Sequence, residues 1–335
     1  MKRIGVVCKP KRGQAEPVMR ELLRWLEGRD CRVVLDRDTA RLVGVSSPHT
    51  REDIPGRVDL LIVLGGDGTM LSMARMTVGL PVAILGVNLG ALGFLTEVTL
   101  GQLYPTLERI FAGEFEIDER PMLSAKIRRD GEAVSEHEVL NDVVISKGAL
   151  ARIIELDSYV DGRFVTSYRA DGLIISSPTG STGYSLSAGG PILMPSLLAI
   201  ILNPICPFTL SNRPLVLPDD VTVEVVLTTP DEDVHVTLDG QVGFAIRHRD
   251  VVEVRKSSHC IRLVKLPEND YFSLLRDKLG WGVQMGGVRD SEASAKQGTP
   301  ATKKSNRPRR KRSPAAKADG KDGGGKKPKK RKTSV

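Results

Sequence analysis

Val58-Asp59-Leu60-Leu61-Ile62-Val63-Leu64-Gly65-Gly66-Asp67-Gly68-Thr69-Met70 reads as a strand from Val58 to Leu64, unbroken in apolar residues from Leu60 on, that ends in a glycine turn carrying one acid. A strand that is apolar on both faces has no solvent side, which is the pattern of a parallel sheet covered by helices. A helix is predicted to follow, from about Thr69 to Thr77. Working outward, Arg3 to Lys9 is a second buried strand, and Gln14 to Glu27 places Val18, Leu22, Leu23, Trp25 and Leu26 at helical spacing. Cys31 to Leu35 and Pro81 to Leu85 read as further strands, the latter followed by a glycine-rich loop at Gly86, Gly90 and Gly93. Thr99 to Phe111 reads as a helix, with Leu100, Leu103, Leu107, Ile110 and Phe111 apolar. Strands alternating with helices predict an α/β domain around a parallel sheet.

The pattern changes near Phe115. Short strands follow at Leu123 to Arg128, Val139 to Ser146, Ile153 to Val160, Thr222 to Leu227, His235 to Leu238 and Cys260 to Leu266. Asp130-Gly131, Asp161-Gly162 and Asp239-Gly240 supply hairpin turns. This predicts an all-β sandwich as the C-terminal domain. Asp270 to Leu279 predicts a last helix, with Tyr271, Leu274, Leu275 and Leu279 on one side. The expected organisation is an α/β domain over 1–115, a sandwich over 116–268, a helix over 269–282 returning to the first domain, and a disordered Lys/Arg-rich tail over 283–335.

The formal charge of +8 belongs to that tail. Residues 296–335 hold 16 Lys and Arg against two acids, whereas the preceding 295 residues hold 33 against 39. The tail has too little apolar surface to fold, and its basic runs suit non-specific polyanion binding. Cys8, Cys31, Cys206 and Cys260 form no C-x-x-C pair and predict reduced thiols. No apolar run approaches the ~20 residues that span a membrane, and no signal peptide is apparent, so a cytoplasmic protein is expected.

A second loop carries chemistry. Asp171-Gly-Leu-Ile-Ile-Ser-Ser-Pro-Thr-Gly-Ser-Thr-Gly-Tyr-Ser-Leu-Ser-Ala-Gly-Gly-Pro-Ile192 passes from an apolar strand into small, hydroxylic residues. Such residues let backbone amides and hydroxyls come close to a polar ligand. Upstream, Gly65, Gly66 and Gly68 before a helix form a phosphate loop, because amides at a helix N-terminus are free to hold anions. A carboxylate at that point, Asp67, is unfavourable beside phosphates unless it binds metal or accepts a proton from an attacking hydroxyl. The alternative for Asp67 is a turn-shaping or helix-capping role. No Walker lysine motif, complete G-x-G-x-x-G, G-x-S-x-G or H-E-x-x-H occurs. No metal site is assigned from side chains.

Gly65-Gly66-Asp67-Gly68, Asn141-Asp142, the Asp171–Ile192 segment and Asp239-Gly240-Gln241 occur in the order and spacing of the NAD kinases, which residues 1–280 resemble. The short GGDG is shared with lipid kinases of the diacylglycerol type and with phosphofructokinases, while the central segment is specific. The resemblance implies transfer of the ATP γ-phosphoryl group to the 2′-hydroxyl of the NAD adenosine ribose, giving NADP. It implies Mg²⁺ or another divalent metal with ATP, and assembly as a homodimer or homotetramer. Asp67 becomes the proton acceptor and Gly68 its neighbour against the ligand. Asn141 and Asp142 would hold hydroxyls of the dinucleotide, where the family more often has Asn-Glu. Asp171 would accept from a polar edge of the ligand. Thr182, Gly183, Tyr184, Ser185, Leu186 and Ser187 would line adenine and ribose, with Tyr184 as the flat surface. Arg152, Arg169 and Gln241 fall at dinucleotide-contacting positions of relatives. Phe208 stands where relatives commonly carry His. The alternatives are a GGDG-type lipid or sugar kinase and a non-catalytic protein that binds dinucleotide or polyanion.

Overall fold

The computed structural model describes residues 2–9, 15–90, 93–96, 98–149, 152–230, 233–267 and 270–281. The chain divides into the units Met1–Val283 and Gln284–Val335. All that follows concerns the first, and the expected basic tail lies outside the described residues.

The first half runs β1 (Arg3–Cys8), α1 (Ala15–Glu27), β2 (Arg32–Leu35), α2 (Arg37–Leu42), β3 (Leu60–Gly65), α3 (Asp67–Met76), β4 (Ala83–Asn88), β5 (Val98–Thr99) and α4 (Leu103–Ala112). β4, β3, β1 and β2 lie side by side and parallel. All six residues of β3 are buried, as its unbroken apolar run requires. Met19, Leu22 and Leu26 of α1 and Leu103, Leu107 and Ile110 of α4 pack with one face of this sheet, and Met70, Met73 and Ala74 of α3 with the other. Gly86 lies inside β4 and not in the expected loop. A Cβ there would stand 2.6 Å from the Leu95 carbonyl, so the glycine serves close packing. α2 was not expected from the sequence; its six residues are too few to display a helical period, and it is fixed by Asp36, which caps Thr39.

The second half comprises β6 (Glu116–Arg129), β7 (Glu132–Val139), β8 (Asp142–Lys147), β9 (Ile154–Val160), β10 (Arg163–Ala170), β11 (Gly172–Ser176), α5 (Tyr184–Ser187), β12 (Ala199–Ile205), β13 (Leu215–Pro218), β14 (Val223–Leu227), β15 (Val234–Leu238), β16 (Val242–Ile246), β17 (Val251–Lys265) and α6 (Tyr271–Leu279). One antiparallel sheet has the order β13-β12-β11-β8-β15-β16. It faces β10-β9-β14-β17, with β6 and β7 joined through β17, across a core that includes Ile145, Leu173, Ile175, Val225 and Val236. The three Asp-Gly turns have positive φ at both residues. Asp130-Gly131 and Asp161-Gly162 close two-residue hairpins, as a type I′ turn does, while at Asp239-Gly240 the pairing of Leu238 with Val242 leaves Gln241 in the loop as well.

The two halves share a sheet. β17 is 15 residues long: Val252 and Val254 lie in the sandwich core, and Arg262 and Leu263 pair in parallel with Ala83 and Ile84 of β4. The expected strand Cys260 to Leu266 is therefore the far end of a strand that serves both cores. α6 starts from Asp270, whose carboxylate caps the Phe272 and Ser273 amides. Its Leu274 and Leu275 are buried, and the Tyr271 hydroxyl donates to the Leu193 carbonyl. Among the described residues no helix is long and apolar enough to cross a membrane.

Candidate active site

At the top of β3 the chain turns through Gly66, and α3 begins at Asp67 with no side chain capping it. The helix start therefore faces outward with backbone amides, between the exposed Gly66 and Gly68. The Asp67 carboxylate folds across the turn that follows β4. Its Oδ2 accepts the Phe94 amide at 2.9 Å, and its Oδ1 accepts the Leu95 amide at 3.1 Å and the Thr96 hydroxyl at 3.2 Å. Gly93 is needed at this contact, because a Cβ there would lie 2.0 Å from Asp67 Oδ1. Asp67 is thus more than a turn residue: it ties the phosphate loop to the 93–96 loop.

The predicted strand Val139 to Ser146 is interrupted. β7 ends at Val139 and β8 starts at Asp142, because the Leu140, Asn141 and Asp142 amides leave the ladder and turn to the Asp239 carboxylate at 3.2, 2.7 and 3.4 Å. Asp239 itself is buried, at φ 50° in its hairpin turn. The interruption projects Asn141 and Asp142 into a pocket of about 350 Å³. Tyr184, Thr237 and Ser146 complete its polar wall, and Val144 adds an apolar patch. Asn141 Oδ1 has no hydrogen-bond partner.

Two carboxyls in one buried pocket cannot both ionise freely. The Asp142 carboxyl is pushed up to about 7, chiefly by burial and further by the charge of Asp239, against one amide hydrogen bond from Tyr184. Burial also raises Asp239, but the amides of Asn141, Leu140 and Asp142 and the Arg75 guanidinium all pull it back. Asp239 has the better-satisfied charge, so a proton on the pair resides on Asp142. Acceptor oxygens on this wall suit hydroxyl and amino donors better than phosphate, whereas the free amides of a helix start, as at Asp67, suit an anion.

Several small residues of the Gly/Ser segment make contacts within the protein. Ser177 donates its hydroxyl to the Leu140 carbonyl and its amide to the Asn141 carbonyl. A Cβ on Gly180 would come 2.1 Å from that same Asn141 oxygen. Ser185 is fully buried, with its backbone carbonyl and hydroxyl accepting from Asn203. Small residues here let the segment interlock with the 140–142 turn. Thr182 and Leu186 are partly buried and Ser187 is exposed. Tyr184 remains half-exposed on the pocket wall, and Gly183 sits where a Cβ would be 3.7 Å from Asp142 Oδ2.

Gln241 joins the two halves: its Nε2 donates to the Gly68 carbonyl at 2.7 Å, while its Oε1 accepts from Arg75 at 2.7 Å. Asp171 pairs with Lys147 at 3.3 Å. Arg169 pairs with Glu155 and lies over the Phe208 ring at 5.2 Å, and Arg152 is exposed just ahead of β9. None of these three lines the pocket. Sequence reasoning missed Arg75, the 94–96 loop, and the Asp239 carboxylate as an acceptor. In the sequence Asp239 reads as part of a turn and of the Asp239-Gly240-Gln241 motif; nothing in the spacing shows what its side chain reaches.

Sequence models of two domains match the chain: the ATP-NAD kinase N-terminal domain over residues 4–115 and the ATP-NAD kinase C-terminal domain over residues 140–266. The chain is 51% identical over 283 residues to the NAD kinase of Syntrophotalea carbinolica, covering 84% of this chain and 99% of that one. It is also 51% identical over 282 residues to the NAD kinase of Geobacter sulfurreducens, with the same coverage. Among solved structures it is similar to yeast NADH kinase complexed with NADH, at a TM-score of 0.78 and 27% identity, covering 87% of this chain and 90% of that one. An NAD kinase from Archaeoglobus fulgidus in complex with ATP aligns at a TM-score of 0.66 and 26% identity, covering 82% of this chain and 99% of that one.

Proposed function

The chain belongs to the ATP-NAD kinase family and is an ATP-dependent NAD kinase; from that premise we propose how its own residues perform the reaction. The adenosine half of NAD enters the pocket beside Asn141, Asp142 and Tyr184. Asn141 Oδ1, which lacks a partner, accepts from the nucleoside, and Tyr184 offers its ring as a stacking face. The ATP phosphates lie against the amides that open α3. The 2′-hydroxyl of the adenosine ribose then faces the γ-phosphorus. Asp67 accepts its proton as the new P–O bond forms and the bond to the β-phosphate oxygen breaks, leaving ADP and NADP. Phosphoryl transfer needs little covalent help from the protein, so alignment and charge neutralisation supply most of the rate, with about 10²–10⁴-fold from the base.

One observation carries this reading: Gln241 bonds the Gly68 carbonyl and is adjacent in the chain to the turn that walls the pocket, so the anion loop and the nucleoside pocket open beside each other. A divalent ion such as Mg²⁺, held by the triphosphate itself, would lessen the negative charge of the phosphates. The Arg169 and Arg152 contacts lie outside the pocket and are assigned to the far half of the dinucleotide.

Copies of the chain meet at the β13 edge. Leu198, Phe208, Leu210 and Val216 are exposed around this strand, which lies at the end of its sheet, with Leu210 at 91% exposure. Exposed apolar residues beside a free strand edge mark an association surface. A cytoplasmic location fits four free cysteines. The deciding assay is incubation of the purified protein with ATP, Mg²⁺ and NAD, with NADP read by an NADP-specific dehydrogenase. No NADP above a no-enzyme control would end this reading. Light scattering on the wild type and on Leu210→Asp tests the association surface, which requires a dimer or tetramer that the variant weakens.

A further inference from the structure

Arg75 belongs to no ligand-facing motif, yet it touches both sides of the site. It lies in the last turn of α3, the helix that Asp67 begins. Its two terminal nitrogens diverge. Nη1 reaches Asp239 Oδ2 at 3.3 Å, and Nη2 donates to Gln241 Oε1 at 2.7 Å. Gln241 returns to the phosphate loop through the Gly68 carbonyl. Asp239 passes the constraint to the Leu140, Asn141 and Asp142 amides. The side chain of Asp239 is fully buried and that of Arg75 is only 21% exposed, so this ion pair is little screened by solvent.

We propose that Arg75 is a positioning residue for the dinucleotide site: its ion pair fixes the Asp239 carboxylate, so that Asp239 holds the Leu140–Asp142 turn open toward the pocket, and through Gln241 it sets the Gly68 loop in register with that pocket. The proposal rests on the pocket being the NAD site. A planar guanidinium is needed, because only its fork reaches a carboxylate and an amide oxygen at once.

The consequence is electrostatic. Asp239, from the turn after β15, is the charge acting on Asp142, and Arg75, from α3, is the cation acting on Asp239. Tyr184 adds an amide donor to Asp142 and a phenol on the shared wall. Arg75 and the three amides pull Asp239 down against the rise that burial imposes, which favours the proton of the pair on Asp142. Removing a nearby positive charge makes the doubly ionised pair harder to form, so the upper titration of the pair must move to higher pH.

The test uses the full-length enzyme. The carboxylic acid C=O infrared band is followed against pH, alongside kcat, KM for NAD and KM for ATP. In the wild type the band is expected to disappear near neutrality, and Asp142→Asn should remove it. Arg75→Met should shift its loss upward by about one pH unit or more. The same variant should raise KM for NAD roughly tenfold, with a smaller effect on KM for ATP. Arg75→Lys should restore the titration, since the charge is kept, but recover KM only in part. Gln241→Met should raise KM for NAD without moving the band. An Arg75→Met enzyme whose band titrates as in the wild type, with only a uniform fall in activity and melting temperature, would make Arg75 a structural brace and overturn the proposal. If the band responds as expected while calorimetry shows NAD affinity indifferent to both Arg75→Met and Asp142→Asn, the assignment of the pocket fails, and with it the positioning role.

Discussion

Asp67→Asn is the most informative single change, and its cost can be worked from three distances. The carboxylate accepts two backbone amides, at 2.9 Å from Phe94 and 3.1 Å from Leu95, and the Thr96 hydroxyl at 3.2 Å. An asparagine has one acceptor oxygen. With that oxygen in the Oδ1 position, the Leu95 and Thr96 contacts survive, and the amide NH₂ then faces the Phe94 N–H, donor against donor. Turning the amide over sacrifices Leu95 instead. One hydrogen bond to a charged group is lost and a donor is left unpaired, a cost of roughly 1.5–3 kcal/mol. At about 2–4 °C per kcal/mol for a domain of this size, the melting temperature should fall by roughly 3–12 °C. Turnover should fall by roughly 10²-fold or more, because the proton acceptor is gone. The near-isosteric shape of asparagine alone would suggest an unchanged fold; the loop contacts say otherwise. Scanning fluorimetry and steady-state kinetics with ATP, Mg²⁺ and NAD measure both effects. Turnover within a few-fold of wild type would remove Asp67 from the role of base. An unchanged melting temperature would show that the 94–96 loop does not hold the carboxylate.

Three further outcomes are expected. Gly183→Val and Tyr184→Ala should raise KM for NAD more than KM for ATP, because the first crowds Asn141 and Asp142 and the second removes the exposed ring of the pocket wall; NAD binding by calorimetry that survives both would make the segment purely structural. Stability should fall as pH rises from about 4 to about 7: Asp142 holds a proton in the folded state that the unfolded chain has already released, and the loss is at most about 4 kcal/mol. Asp142→Asn should flatten that limb of the melting-temperature profile, whereas the acids lowered by pairing, such as Asp59 at about 2, act below it; a profile identical to wild type between pH 4 and 7 would refute the assignment. Ending the chain at Gly282 removes 17 Lys and Arg against four acids and takes the formal charge from +8 to −5. It should leave NAD turnover intact and abolish salt-sensitive retention on heparin, and a large loss of turnover at unchanged melting temperature would refute the independence of the tail.

Much of this protein is legible from its sequence because the relevant physics is local. The unbroken run Leu60–Leu64 can only be a strand buried on both faces, and Asp130-Gly131, Asp161-Gly162 and Asp239-Gly240 can adopt the paired positive-φ turn that most residues resist. The glycines around Asp67 likewise announce a helix start open to anions. Tertiary structure decided what depends on residues distant in the chain. Whether Val139 to Ser146 runs on as one strand turns on Asp239, about a hundred residues later, whose carboxylate draws three amides out of the ladder. The Gly/Ser segment suggests ligand contact by composition, yet Ser176, Ser177 and Gly180 interlock with the 140–142 turn and Ser185 with Asn203, which no spacing rule reveals. β17 looks like a sandwich strand until its far end pairs with β4. Arg75 carries no local signal at all, because a guanidinium on a helix is ordinary until the fold places a buried carboxylate 3.3 Å away. Periodicity and turn chemistry act over a few residues and survive in the sequence, while the charges, protons and close approaches that make a site depend on distances that only the folded chain creates.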